Sequence, residues 1–586
     1  MTGGTKGRDR LRAAIALALA PVLLGDVYYP IARAGFLVRS PVGLLWPLLA
    51  AASLLAVVFL ALRTVRLENL ASVGLLGFAG ITLGALVVLN LVPPIARDEL
   101  TYHLAMPALY ARAGRVIEVP FADASYYPMA LEMLYTPLVA HGWATAAKYL
   151  HLSFGLASAA LLFLYLSPRV RSSVALAGAV LLFTTPTVTA LAASAYVDLG
   201  LLLYATIGVL AVLRWSETGQ TSYLILGALG AGCAVAVKYN GLLVVMLLGC
   251  ATLVIAERRG LRAVFVSAVT FGLSSLVPLL PWLLKNAWET GNPLFPLFNH
   301  LLGGRPLPAQ PELDVFSTRR MLYGESWWLA ALAPIRVFLT GRDGVPAQFD
   351  GVFNPLYLLA VAAAFVQGRF RRERLLSAFA FIFLVMVFFL ISFRSRYALA
   401  AVAPLVLVFA AVLADWTRQA GARKSAAMAV VVAGLVFNAA HLALFWRRVD
   451  PLAYLTGRQS QTEYVARFVP EYPVTVYANE HLPSQASVYL AFLGDRGYYW
   501  KCSYTYDYYY SGTTLLEAVR GARDPSGVVD ALRARHIEYL AAADWLLLRF
   551  LRDNLDDAGY ERWQAFAASH LRPLDRQAGF GLYQIL

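Results

Sequence analysis

The residues of clearest chemical potential are an adjacent acidic pair, Asp98-Glu99, in the segment Arg97-Asp98-Glu99-Leu100-Thr101-Tyr102-His103-Leu104-Ala105-Met106. Read as a helix, the spacing sets Asp98 against Tyr102 and Glu99 against His103 at i,i+4, with Leu100 and Leu104 as an apolar stripe. Such a helix lies at a membrane surface with its polar edge toward a cavity. The competing reading is structural, since Asp commonly caps a helix and Asp98 could do no more than that. Cations stand elsewhere. Lys238 follows a long apolar run, where burial is costly without a partner; the alternative is that its stem snorkels to the headgroups. Arg97, Lys285, Arg394 and Arg396 also stand at or near the ends of apolar runs. Asp198 either faces a cavity or caps the next helix. His103 and His300 are isolated, and no His/carboxylate spacing is specific enough to define a metal site.

Composition says what must hold these residues. The chain has 586 residues, is 59% hydrophobic and has a mean hydropathy of +0.61, whereas a soluble chain is about 45–50% apolar. The excess lies in about thirteen nearly charge-free runs of roughly 18–24 residues, each able to cross ~30 Å of hydrocarbon as a helix. They lie near 11–31, 42–62, 70–93, 146–166, 171–192, 197–214, 222–238, 240–256, 262–284, 352–367, 376–393, 397–414 and 426–446. Basic residues fall in alternate connections: Arg63 and Arg66; Arg169 and Arg171; Arg214; Arg258, Arg259 and Arg262; Arg369, Arg371, Arg372 and Arg374; Arg418, Arg423 and Lys424. All share a side with the basic N-terminus, the positive-inside pattern. The net charge of +14 is therefore an orientation signal and implies no nucleic-acid partner. The N-terminus is expected in the cytoplasm, with 94–145, 285–351 and 447–586 on the periplasmic or extracellular face. The first run lacks a small-residue cleavage site and reads as an uncleaved span. Three cysteines imply neither a disulfide framework nor a thiolate metal site.

The expected fold is thus an all-α polytopic membrane domain over residues 1–446, followed by an α/β extracytoplasmic domain over 447–586. Strands are expected at Val474–Asn479, Ile537–Ala541 and Gly581–Leu586, and helices after Asp524-Pro525-Ser526 and near Asp557. The aromatic stretch from Tyr498 to Tyr510 reads as an interfacial belt, with a sugar-stacking surface as the second reading. No internal repeat is evident.

At Asp98-Glu99, Tyr102 and Gly114 the chain resembles the GT-C superfamily of polyprenyl-phosphate-dependent glycosyltransferases, which includes the protein O-mannosyltransferases and the lipid A aminoarabinose transferases. Further landmarks follow in order: Tyr127-Pro128 through Glu132-Met133-Leu134-Tyr135; Tyr196-Val197-Asp198; Lys238-Tyr239-Asn240-Gly241; Pro281-Trp282-Leu283-Leu284-Lys285-Asn286 with Gly291-Asn292-Pro293; Arg396-Tyr397 with Pro404; and Asp450-Pro451-Leu452 with Tyr454-Leu455 and Gly457. The resemblance implies transfer of a sugar, with inversion, from a polyprenyl-phosphate donor to an acceptor hydroxyl on a glycan, lipid or protein. It implies Asp98 as base, with Glu99 orienting the acceptor or helping to hold a cation. Tyr102, His103, Glu132, Lys238, Lys285, Arg396 and Tyr397 become substrate-binding candidates, and positive charge is needed for the leaving phosphate. Some relatives are metal-assisted, but Tyr126-Tyr127-Pro128 stands where an acidic-basic pair is expected. Glu132 is then the nearest substitute and Asp123 the second choice, so a divalent metal ion is left open as a cofactor. The expected location is the bacterial inner membrane, in contact with membrane lipid.

Two other functions fit a polytopic chain. A transporter or flippase of a lipid-linked substrate usually shows repeats and mid-membrane charges. A glycan polymerase or ligase of another membrane fold would rely on a large loop with His or Arg. The gathering of polar residues at one face favours the transferase.

Overall fold

The computed structural model describes residues 3–306, 314–367, 370–419, 421–507 and 512–586; Arg369 and Tyr508 to Tyr510 lie outside the described residues. The chain divides into two units, residues 1–91 with 127–450 and residues 92–126 with 451–586. The segment 92–126, expected within the membrane domain, thus groups with the C-terminal residues.

The first unit is helical, and the chain is a multi-pass membrane protein. Among the described residues nine helices are long and apolar enough to span: Arg10–Arg33, Pro41–Leu62, Leu70–Leu89, Ala144–Leu166, Asp198–Thr218, Leu261–Thr290, Arg371–Leu390, Ser395–Arg418 and Arg423–Val449. The remaining expected runs form shorter helices, Ser172–Thr184, Thr221–Val237, Gly241–Glu257 and Leu356–Val366. The run at 171–192 breaks because Thr185 precedes Pro186 and takes an extended conformation, φ −51° and ψ 131°, which the proline ring enforces. A further helix, Ala130–Ala140, lies inside the stretch expected to be an external loop. It packs so tightly on the first span that a Cβ at Gly25 would lie 2.0 Å from the Ala130 carbonyl oxygen.

Charge is sorted along these helices. Glu217, near the end of Asp198–Thr218, pairs with Arg169, Arg214 and Arg372, so three of the basic connections meet at one carboxylate. Asp198 is 19 positions away at the other end, roughly 28 Å at ~1.5 Å per residue. Polar residues therefore gather at both ends of this helix and leave its middle to apolar packing.

The second unit contains a five-stranded mixed sheet: β1 (Ser487–Ala491), β2 (Ser503–Tyr506), β3 (Tyr539–Ala543), β4 (Leu571–Gln577) and β5 (Phe580–Ile585), in the order β2-β1-β3-β5-β4. β1 pairs in parallel with β2 and β3, whereas β5 runs antiparallel to β3 and β4. Two of the expected strands correspond to β3 and β5, and both expected helices form, over Pro525–Arg533 and Asp557–His570. Asp524 caps the first by accepting the Gly527 N–H at 2.9 Å. The expected strand at Val474–Asn479 is instead part of the helix Tyr472–His481. Its Val-Thr-Val run favours a strand by propensity, but Pro473 suits a first helical turn and burial of Tyr472, Thr475 and Ala478 at every third position overrides propensity.

Close helix packing yields a direct test. At Gly241 a Cβ would lie 2.3 Å from the Ala234 carbonyl carbon, whereas at Gly74 it meets nothing within 4 Å. Gly241→Ala should cost about 1–3 kcal/mol and lower the thermal midpoint of the detergent-purified full chain. Gly74→Ala should leave it unchanged.

Candidate active site

The acidic pair sits in the second unit. Glu99 is fully buried, and its Oε2 accepts the backbone N–H groups of Ile95 at 3.1 Å and Ala96 at 2.9 Å. The next residues form a π-helical turn over Glu99–His103, closed by the Leu104 N–H donating to the Glu99 carbonyl at 2.9 Å. π-turns are rare and occur frequently at functional sites. This one replaces the expected α-helix, yet the Tyr102 hydroxyl still reaches Asp98 Oδ2 at 3.5 Å. Asp98 and Tyr102 are half-buried and His103 is buried against the Tyr102 ring, centroids 3.9 Å apart. The helix Ala105–Ala113 follows and ends at Gly114, whose φ of 71° is the left-handed C-cap that glycine provides.

Residues 494–502 hold this segment from the C-terminal side of the chain. The Tyr498 N–H donates to the Leu100 carbonyl at 3.0 Å and the Tyr499 hydroxyl donates to the Pro94 carbonyl at 2.7 Å. Arg112 donates to the carbonyls of Lys501 and Cys502 at 3.1 and 3.0 Å. Phe121 meets Tyr504 and Tyr506 edge-on, with centroids 5.8 and 5.0 Å away. Trp500, Tyr504 and Tyr506 are buried in protein, so the described part of the aromatic stretch forms this contact surface and not an interfacial belt. Asp495 faces the Arg97 charge, but burial wins and pushes its carboxyl up to about 6.

A cationic cluster forms in the helical unit. Lys238 ends the helix Thr221–Val237, and its Nζ lies 2.7 Å from Asp198 Oδ1 and 4.2 Å from the Tyr397 ring centroid. The Arg396 guanidinium lies 5.1 Å from each of the Tyr196 and Tyr397 rings. Asn240 Nδ2 donates to the Tyr397 carbonyl at 2.9 Å, while the Tyr239 hydroxyl donates to the Phe295 carbonyl at 3.0 Å and accepts from Asn286 at 3.0 Å. Tyr127 meets the Tyr239 ring edge-on at 6.0 Å. Five landmarks far apart in sequence are thereby brought together.

Other candidates lie outside this cluster. Lys285 is buried and 3.9 Å from Glu289, which also binds Arg33. With Trp282 donating to Asp26 Oδ1 at 3.0 Å, these residues tie the helix Leu280–Thr290 to the first span. Glu132 is buried in the first turn of Ala130–Ala140. Arg394 and Asp123 are half-buried, whereas Arg97 and His300 are exposed. Among the described residues no three His, Cys, Asp or Glu side chains gather to hold a metal ion. Sequence reasoning missed His151, buried within Ala144–Leu166. Its Nδ1 meets the Ser194 carbonyl at 2.8 Å and its Nε2 accepts the Leu199 N–H at 3.0 Å, which fixes the tautomer and supports the first turn of the helix that Asp198 opens. A histidine inside an apolar run was the available signal.

Comparison with solved structures identifies this architecture. ArnT from Cupriavidus metallidurans, solved in the apo state, superposes with a TM-score of 0.53 at 13% identity, over 88% of this chain and 98% of its own. The chain has the ArnT fold. The oligosaccharyltransferase of Archaeoglobus fulgidus, tethered to an acceptor peptide, superposes with a TM-score of 0.44 at 11% identity, over 87% of this chain and 74% of that one. Its complex with an inhibitory peptide and a dolichol-phosphate gives 0.41 at 12% identity, with the same coverage. No protein-family model and no curated protein sequence matches the chain.

Within this ArnT fold the Lys238–Asp198 pair should behave as a buried ion pair. Lys238→Met strands a buried carboxylate and should cost about 3–5 kcal/mol, read as a lower thermal midpoint. Adding Asp198→Asn should recover most of that loss. Asp495 gives a pH test. Its folded-state value lies above the ordinary carboxylate range, so the folded chain holds the extra proton between about pH 4 and 6 and stability from this group falls as pH rises through that window. Asp495→Asn should therefore melt higher than wild type at pH 7.5, and the gap should shrink toward pH 4.

Proposed function

We propose that the protein is an inverting glycosyltransferase that moves a sugar from a polyprenyl-phosphate donor to an acceptor hydroxyl. One observation carries the reading: a half-buried carboxylate, Asp98, stands at the head of a π-helical turn, with the backbone before it fixed by Glu99 and the turn itself held by Tyr498. That is the construction of a positioned base.

In the reaction Asp98 takes the acceptor hydroxyl proton as the oxygen attacks the anomeric carbon. The bond from that carbon to the phosphate oxygen breaks, and the phosphate leaves as an anion of low basicity. It needs electrostatic stabilisation more than a proton. By the sequence resemblance Arg396, beside the Tyr196 and Tyr397 rings, supplies that positive charge, and Lys238, paired with Asp198, holds the Tyr397 ring. Tyr102 contacts the acceptor, and the buried His103 supports its ring. Glu99 positions and does not react, because its Oε2 is committed to two backbone amides. Lys285 has Glu289 as its counter-charge and serves helix packing. The ArnT fold and the sequence resemblance to the lipid A aminoarabinose transferases support this class of donor. The acceptor is a lipid, glycan or protein on the extracytoplasmic side of a bacterial inner membrane.

Purified protein supplied with polyprenyl-phosphate sugars should consume the donor. Asp98→Asn should lower that rate by at least about 100-fold, the scale of a lost general base, with the thermal midpoint unchanged. Full activity in Asp98→Asn would remove Asp98 as base. Vectorial movement of the lipid without sugar transfer would support the flippase.

A further inference from the structure

A second polar site lies in the helical unit, in a cavity of about 420 Å³ lined by Thr189, Leu339, Arg342, Asp343, Gln348, His441, Leu444, Phe445 and Arg448 among others. None of its lining residues belongs to the Lys238 cluster, and the transferase scheme uses none of them. We propose that this cavity binds the phosphate of an anionic membrane-lipid headgroup.

Three kinds of residue make the case. Arg342 is exposed, and neither its guanidinium nor the Gln348 amide has a side-chain hydrogen bond among the described residues. His441 engages the Phe437 carbonyl through Nδ1 at 3.0 Å, so Nε2 remains for a ligand. Arg448 pairs with Asp343 and lies over Gly344, where a Cβ would sit 1.8 Å from its Nη1. Guanidinium groups bind phosphate oxygens in bidentate geometry. Burial and the neighbouring Asp350 push the Asp343 carboxyl up to about 6 in spite of Arg448.

The apolar wall selects a lipid over free phosphate. Leu444 is 60% exposed and Leu339 59% exposed, and Leu444 shares its helix with Val432 and Val436, which are also exposed. This apolar surface belongs to the last spanning helix, whose C-terminal turn carries Arg447 and Arg448. Apolar residues running into a basic helix end match an acyl chain entering beneath its headgroup. The volume falls in the range of about 300–1,000 Å³ usual for small-molecule sites.

The full chain, purified in detergent with no donor or acceptor present, tests this independently of the transferase reading. Native mass spectrometry after exposure to equimolar phosphatidylglycerol and phosphatidylcholine of identical chains should show at least about fivefold preferential retention of the anionic lipid, about 1 kcal/mol. Arg342→Gln, at an exposed position, should abolish that preference, while Arg320→Gln, exposed elsewhere, should keep it. Equal retention of the two lipids, an unchanged preference in Arg342→Gln, or displacement of the lipid by millimolar inorganic phosphate would each overturn the proposal.

Discussion

A lysine and an aspartate that meet inside a helical bundle organise one end of this molecule. Asp198 is fully buried and Lys238 nearly so, and either charge alone would be expensive in that setting. The Tyr397 ring contributes its face to the ammonium. Because Asp198 opens one helix and Lys238 closes another, the pair fixes two helix ends against each other. Tyr239 and Asn240 follow directly and carry the order onward to Asn286, Phe295 and Tyr397 through hydrogen bonds of 2.9–3.0 Å. The Tyr397 ring that the pair holds also faces the Arg396 guanidinium, which brings positive charge to that end of the bundle.

The acidic segment obeys a different constraint. It is short, irregular and partly buried, so its backbone polar groups need partners that regular structure does not provide. Glu99 supplies them from within, and Tyr498 and Tyr499 supply them from the C-terminal part of the chain. This gives the C-terminal residues a physical role: they brace the segment that carries Asp98. The sheet anchors that brace through its own core, in which Tyr489, Leu540, Trp563 and Phe566 pack together.

Much of this was legible in the residues because hydrocarbon imposes simple rules. Each expected apolar run corresponds to a helix or, at 171–192, to two, since only internally hydrogen-bonded segments tolerate that environment. The association of Asp98 with Tyr102 survived even though the turn between them is π and not α; an extra residue in a turn leaves no mark in hydrophobic periodicity. The partner that burial of Lys238 requires is Asp198, at 2.7 Å and 40 positions away, a pairing that sequence spacing does not reveal. The helix Ala130–Ala140 was missed because eleven residues are too few to span and Glu132 masks its apolarity. The strand expected at Val474–Asn479 failed because local propensity yields to burial. The aromatic stretch was misread because membrane interfaces and protein cores select the same side chains.

A single base acting in one displacement at the anomeric carbon inverts it, and the configuration of the product reports that directly. The anomeric linkage of the first-formed product can be assigned by proton coupling in NMR, with a polyprenyl-phosphate sugar of known configuration as donor. Inversion at the anomeric carbon is the result this account predicts. Retention would require a covalent sugar–enzyme intermediate or a second displacement, and would contradict it.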